Sequence, residues 1–114
     1  MFELKNKKIV FFGAVGYLAT PIIWKMAELG ADLILADYNE QLAIDTAKKM
    51  KEKYPEQQFN AIYINTADYD SINKGFEEIK KSFSTIDVMV SGISGANNLT
   101  VEEYTPEAMN NAFA

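Results

Sequence analysis

The stretch from Lys8 to Asp37 constrains this chain more than any other. Lys8-Ile9-Val10-Phe11-Phe12 is a short apolar run of β-branched and aromatic residues. It enters Gly13-Ala14-Val15-Gly16-Tyr17-Leu18-Ala19 directly, and a helical pattern follows as far as Leu29. Gly30 stops that pattern, and Asp32-Leu33-Ile34-Leu35-Ala36-Asp37 is a second apolar run ending in an acid. The order is strand, glycine turn, helix, strand. A tight turn of this kind brings backbone N–H groups and a helix N-terminus up to a phosphate, and an acid at the next strand tip can accept from a ribose. The reading is a nucleotide-binding βαβ unit.

The first run is continuous rather than alternating, which suits a parallel strand buried on both faces. The first helix is expected to start near Tyr17, with Leu18, Ile22, Met26 and Leu29 on its apolar face and Ile23 beside them. Pro21 is tolerated only near the start of that helix. Gly30 suits the position just past its end, where φ turns positive. Asn39 is expected to cap a second helix, with Leu42, Ala43, Thr46, Ala47 and Met50 facing inward. Lys48, Lys49, Lys51 and Lys53 cluster towards its C-terminal end and complement the helix dipole. Pro55 closes the helical region.

A third strand is expected from about Gln58 to Ile64, and a third helix is expected to be capped by Asp70 or Ser71. Ile72, Phe76, Ile79 and Phe83 form its apolar stripe. Ile86 to Val90 reads as a fourth strand, Ser91 to Ala96 as a small-residue turn, and Asn97 to Val101 as loop. Thr105-Pro106-Glu107-Ala108 has the cap, proline and early acid of a fourth helix. Strands alternate with helices throughout. The expected fold is therefore α/β, a Rossmann-like doubly wound parallel sheet, incomplete, whose right-handed crossovers give strand order 3-2-1-4. Residues 1–114 read as a single dinucleotide-binding domain's worth of chain, with no repeat or linker.

Composition prunes the chemistry. A net charge of −5 argues against a general nucleic-acid binder. No apolar run approaches the length of a membrane span, and the first eight residues lack the apolar core of a signal peptide. There is no cysteine, which fits a reducing compartment, and the expected location is cytoplasmic. With neither Cys nor His there is no thiol nucleophile, imidazole base, thiolate metal site or His-ligated metal.

The candidate site residues sit where strands end. Gly13 permits the tight turn, Gly16 lets backbone approach a pyrophosphate, and Ala19 is the small residue needed for close helix–strand packing. Glycines at a strand-to-helix turn are equally read as turn chemistry. Asp37 lies 24 positions after Gly13. Its carboxylate can accept from both ribose hydroxyls and would repel a 2′-phosphate, favouring NAD over NADP. The other reading is a solvated loop acid or a helix cap. The chain has no arginine to welcome a 2′-phosphate. Asn65 and Thr66 can hold an adenine edge with a side chain and a backbone N–H, or Asn65 simply favours a turn. Ser91-Gly92-Ile93 follows the fourth strand, where the small residues would let backbone pass close to a cofactor.

These features together resemble the N-terminal half of a short-chain dehydrogenase/reductase (SDR), over nearly the whole chain. Leu4-Lys5-Asn6-Lys7-Lys8 is similar to the family's L-x-x-K start, and A-E-L-G-A-D-L-I-L-A-D to its run into the second strand. Asn65-Thr66-Ala67-Asp68 stands where the family has D-V-T-D, and F-S-T-I-D-V-M-V from Phe83 resembles F-G-x-I-D-x-L-V. The glycine motif departs from the compact branch's T-G-x-x-x-G-x-G. Tyr17 and Leu18 after Gly16 are similar to the G-Y-I-G form of the extended branch, which adds both to the cofactor candidates. Ser91-Gly92-Ile93-Ser94 replaces the usual N-N-A-G.

The resemblance implies an NAD(P)-dependent oxidoreductase acting on an alcohol or carbonyl substrate, sugar-like ones included, and a homo-oligomer at full length. It also implies a Ser and a Tyr-x-x-x-Lys pair, in which the lysine lowers the tyrosine pKa for proton transfer. None of the six tyrosines has Lys four positions later, so the catalytic residues are expected beyond Ala114. The expected partners are a dinucleotide and a small-molecule substrate, with no nucleic acid and no membrane. The alternative is a non-catalytic dinucleotide-binding or sensor module. A methyltransferase binding S-adenosylmethionine fits less well, because Phe11-Phe12 stands where an acid is usual and the glycine spacing is wider. The fourth strand is expected to be an exposed apolar edge. The chain is thus read as part of a longer protein, against a rival in which a second copy covers that edge.

Overall fold

The computed structural model describes residues 3–92. Four parallel strands, β1 (Lys8–Phe12), β2 (Asp32–Asp37), β3 (Phe59–Tyr63) and β4 (Val88–Ser91), form one sheet in the order β3-β2-β1-β4. The helices α1 (Ala19–Glu28), α2 (Glu40–Lys53) and α3 (Tyr69–Ser82) connect them. The α/β fold and the strand order are those expected from the sequence. The expected fourth helix and the Asn97–Val101 loop lie outside the described residues.

The sheet divides the core in two. Ile9, Phe11, Leu33, Leu35 and Phe59 pack on one face with Ile23, Ala27, Ala43, Ala47 and Met50 of α1 and α2. Val10, Phe12, Ile34, Ala36 and Ile62 pack on the other with Ile79 of α3 and Phe83. Alternate residues of the central strands thus point to opposite cores, and β2 is buried at all six positions. This two-sided burial is why β1 and β2 read as unbroken apolar runs.

Two helices bury smaller residues than their expected apolar stripes, although Ala19, Ile79 and Phe83 are buried as expected. The inward residues of α1 are Ala19, Ile23 and Ala27, whereas Leu18 and Ile22 are exposed. The alanines let the helix lie close against the sheet, which larger side chains at those positions would prevent. In α3 the buried residues are Ser71, Gly75 and Ile79, with Phe83 just past the helix, while Phe76 is partly exposed. The cap of α3 is Asp68, whose carboxylate accepts from Asp70 N–H at 3.0 Å, rather than Asp70 or Ser71. Asn39 caps α2 as expected, accepting from Leu42 N–H at 3.2 Å.

Gly30, at φ 103°, ends α1. Its N–H donates to Ala27 O and that of Ala31 to Met26 O, the paired bonds of a Schellman turn. Val88 and Met89 of β4 are exposed, as the sequence led one to expect of that strand. Among the described residues no helix is long and apolar enough to cross a membrane.

Candidate cofactor site

Because all four strands are parallel, their carboxyl ends and the loops that follow share one edge of the sheet. A cleft of about 320 Å³ opens there. The turn after β1 contributes Gly13, Val15 and Gly16, and the tip of β2 contributes Asp37, Tyr38 and Asn39. Ile64, Asn65 and Thr66 enter from the end of β3, and Gly92 from the end of β4.

The glycine turn is fastened to its neighbours by backbone. Gly13 takes φ 77°, a left-handed conformation that favours glycine, and its N–H donates to Ala36 O at 2.8 Å. Gly16 N–H reaches back to Gly13 O at 3.3 Å, and Thr20 donates to Gly16 O from both N–H and Oγ1. The cap residue of α1 is Leu18, which supplies no side-chain cap, and the first turn holds no acid. Open N–H groups at such a helix start are suited to an anion.

Asp37 is buried at the tip of β2. Its Oδ2 accepts from Val15 N–H at 3.2 Å and its Oδ1 from Asn39 N–H at 3.0 Å. The carboxylate therefore braces the glycine turn and the start of α2 together, and it is not a solvated loop acid. A carboxylate can accept more than two hydrogen bonds, and two are used here.

Asn65 does the work of a turn asparagine. Its Oδ1 accepts from Ala67 N–H and its O from Asp68 N–H, each at 3.0 Å. Its own N–H donates to Ser71 Oγ at 2.7 Å. Among the described residues Thr66 N–H makes no hydrogen bond. Gly92 N–H donates to Phe12 O at 2.8 Å. A Cβ at Gly92 would stand 3.2 Å from Phe11 Cε1, so glycine is what lets this backbone lie against β1.

Of the residues singled out from sequence, Gly13, Gly16, Asp37, Asn65, Thr66 and Gly92 meet at the cleft. Tyr17 and Leu18 do not line it, and both project into solvent because the turn carries them outward before α1 begins. Ser91 is absent from the lining too, and Ile93 lies outside the described residues. Val15, Tyr38, Asn39 and Ile64 line the cleft without having been singled out. Their adjacency to a glycine, to Asp37 or to Asn65 was the available signal.

A model of the short chain dehydrogenase family matches residues 7–114, and the chain belongs to that family. It is similar to a 3alpha-hydroxysteroid dehydrogenase from Mediterraneibacter gnavus, 22% identical over 104 residues, covering 91% of this chain and 42% of the relative. It is also similar to a sorbose reductase from Candida albicans, 32% identical over 91 residues, covering 80% of this chain and 32% of the relative. The chain thus spans less than half the length of the curated relatives it matches.

Among solved structures, the fold matches an L-sorbose reductase from Gluconobacter frateurii complexed with NADPH and L-sorbose. The TM-score is 0.77 at 20% identity, over 95% of this chain and 41% of that one. It also matches a protein assigned as a D-mannonate oxidoreductase from Haemophilus influenzae with bound NAD. There the TM-score is 0.73 at 27% identity, over 83% of this chain and 33% of that one.

Proposed function

We propose that this chain is the NAD-binding portion of an oxidoreductase acting on an alcohol or carbonyl group of a small, sugar-like substrate. The observation that carries the cofactor half of this reading is the placement of Asp37, buried, braced by two backbone donors and facing the same cleft as the glycine turn. In the proposed complex the pyrophosphate lies along Gly13 and Gly16 at the start of α1, where backbone donors and the helix dipole favour an anion. The Asp37 carboxylate accepts from the adenosine ribose, and its charge disfavours a 2′-phosphate. Thr66 N–H and the Asn65 side chain meet the adenine edge, and Gly92 lets backbone pass beside the cofactor.

The bound dinucleotide supplies hydride chemistry. This chain's residues bind and orient it, and none is assigned a catalytic role. Proton transfer at the substrate is expected of a Ser and a Tyr-x-x-x-Lys pair in the remainder of a longer protein. The sugar-like substrate class is supported by the sorbose reductase among the relatives. The steroid dehydrogenase shows how far substrates range on this scaffold.

The test is a titration of the purified chain with NADH and NADPH, followed by nucleotide fluorescence. Saturable binding with NADH tighter than NADPH is expected. Absence of binding to either would sink the cofactor reading, and tighter NADPH binding would sink the NAD preference.

A further inference from the structure

The cleft wall formed by the end of β3 is held from behind by one stripe of α3. Ser71, Gly75 and Ile79 follow at four-residue steps and are the buried residues of that helix. The chain leaves the β2–β3 ladder after Ile64 N–H donates to Asp37 O at 3.1 Å. The next donor, Asn65 N–H, is taken by Ser71 Oγ at 2.7 Å. Since Asn65 already closes its own turn through Ala67 and Asp68, the turn is a braced unit and Ser71 is its tie to α3.

One helical turn further on, Gly75 lies against Ile64. A Cβ at position 75 would stand 2.7 Å from Ile64 Cδ1 and 3.1 Å from its Cγ1. Ile64 is buried and lines the cleft, so a methyl group at position 75 must shift the Ile64 side chain. Glycine is also a costly residue in a helix interior. Its presence here is explained by the close approach of α3 to Ile64.

We infer that Ser71 and Gly75 are positioning residues that set the place of Asn65 and Ile64 for recognition of the adenine edge. The inference rests on the dinucleotide reading of the cleft. Adenine offers an amino donor beside a ring acceptor, and proteins read that edge by hydrogen bonds. Replacing the amino group by a carbonyl reverses the pattern. A wall held in register discriminates the two edges, and a wall released from Ser71 discriminates them poorly.

The experiment compares Kd for NAD with Kd for nicotinamide hypoxanthine dinucleotide, which differs only at that edge. The unsubstituted chain is expected to prefer NAD. Ser71→Ala should reduce the preference about three- to tenfold, the range expected for one hydrogen bond, and Ser71→Thr should retain it. Gly75→Ala should reduce it as well, with a cooperative melt confirming that the variant folds. A purely structural role would weaken both ligands equally, and an unchanged ratio in Ser71→Ala and Gly75→Ala overturns the inference. So does an unsubstituted chain that binds both dinucleotides alike. Failure to bind either one sinks the dinucleotide reading itself, and this inference with it.

Discussion

Val15 and Asp37 are joined across the mouth of the cleft, the Val15 N–H donating to Asp37 Oδ2 at 3.2 Å. Val15 lies in the turn that follows β1, and Asp37 is the last residue of β2. Their bond couples the glycine turn to the acid at the tip of β2. Asn39 N–H, on the other carboxylate oxygen, extends the tie to the cap of α2. One buried side chain thus ties together the glycine turn, the end of β2 and the start of α2. Pre-organisation of this kind reduces the ordering cost of binding.

Asp37→Ala removes both the charge proposed to oppose a 2′-phosphate and the acceptor for Val15. The ratio of NADPH to NADH dissociation constants is expected to fall about tenfold, a change of roughly 1.4 kcal/mol. Stability should fall by about 1–2 kcal/mol, because two backbone donors lose their buried partner. Titrations with both cofactors and a urea melt check the two effects separately. An unmoved affinity ratio would show that Asp37 is not on the ribose.

Tyr38 follows Asp37, lines the cleft, and is 76% exposed. A flat ring in that place can cover one face of a bound base. Tyr38→Ala should leave stability within about 0.5 kcal/mol, as for most surface changes. It should raise Kd for NADH about fivefold, on the order of 1 kcal/mol. A variant that binds NADH as tightly as the unsubstituted chain would remove Tyr38 from the site.

What the sequence made legible was decided by residue size as much as by polarity. β1 and β2 were readable to the residue, because two-sided burial leaves no polar interruption in them. The spacing of large apolar residues points away from the buried face of α1 and describes only half of the α3 stripe, where Ile79 and Phe83 are buried but Phe76 is exposed. Ala27 in α1 and Gly75 in α3 face inward because they are small, which the glycine motif indicates only for Ala19. The cleft was legible where a strand end met a glycine or an acid, as at Gly13, Gly16 and Asp37. Tyr38 and Ile64 carry no chemical mark of their own, and only their adjacency to Asp37 and Asn65 points to them. The Asp37–Val15 bond was equally invisible, since a backbone donor leaves no trace in the residue type.

Asp32 performs at the amino end of the sheet a task like that of Asp37 at the other. Its Oδ1 accepts from Gln58 N–H at 2.8 Å, and its Oδ2 pairs with Lys8 Nζ. The first residue of β2 is thereby linked to the first residue of β1 and to the lead-in of β3. Asp32→Ala leaves a part-buried N–H without its partner, at a cost of about 1–3 kcal/mol. The Lys8 side chain is 27% exposed and can turn to water, so the loss stays below that of a fully buried pair. Asp32→Asn, which keeps an acceptor for Gln58, should lose less. Chemical denaturation measures both. Because the cleft is at the opposite edge, NADH affinity of the folded variants should not change.

Gly13 and Gly16 separate turn chemistry from ligand binding. Gly13 holds a positive φ, and alanine there is expected to cost about 1–2 kcal/mol from backbone conformation alone. Gly16 has no positive φ, and the nearest atom to an added Cβ would be Gly13 O at 3.4 Å, an ordinary contact. Gly16→Ala should therefore leave stability within about 0.5 kcal/mol, or raise it slightly by restricting the unfolded chain. Its methyl group would nonetheless occupy space on the cleft wall where the pyrophosphate is proposed to lie. NADH affinity should fall at least about tenfold in Gly16→Ala, roughly 1.4 kcal/mol, with no loss of melting temperature. Should Gly16→Ala bind NADH normally, Gly16 serves only the turn, and the pyrophosphate must be placed elsewhere along the start of α1.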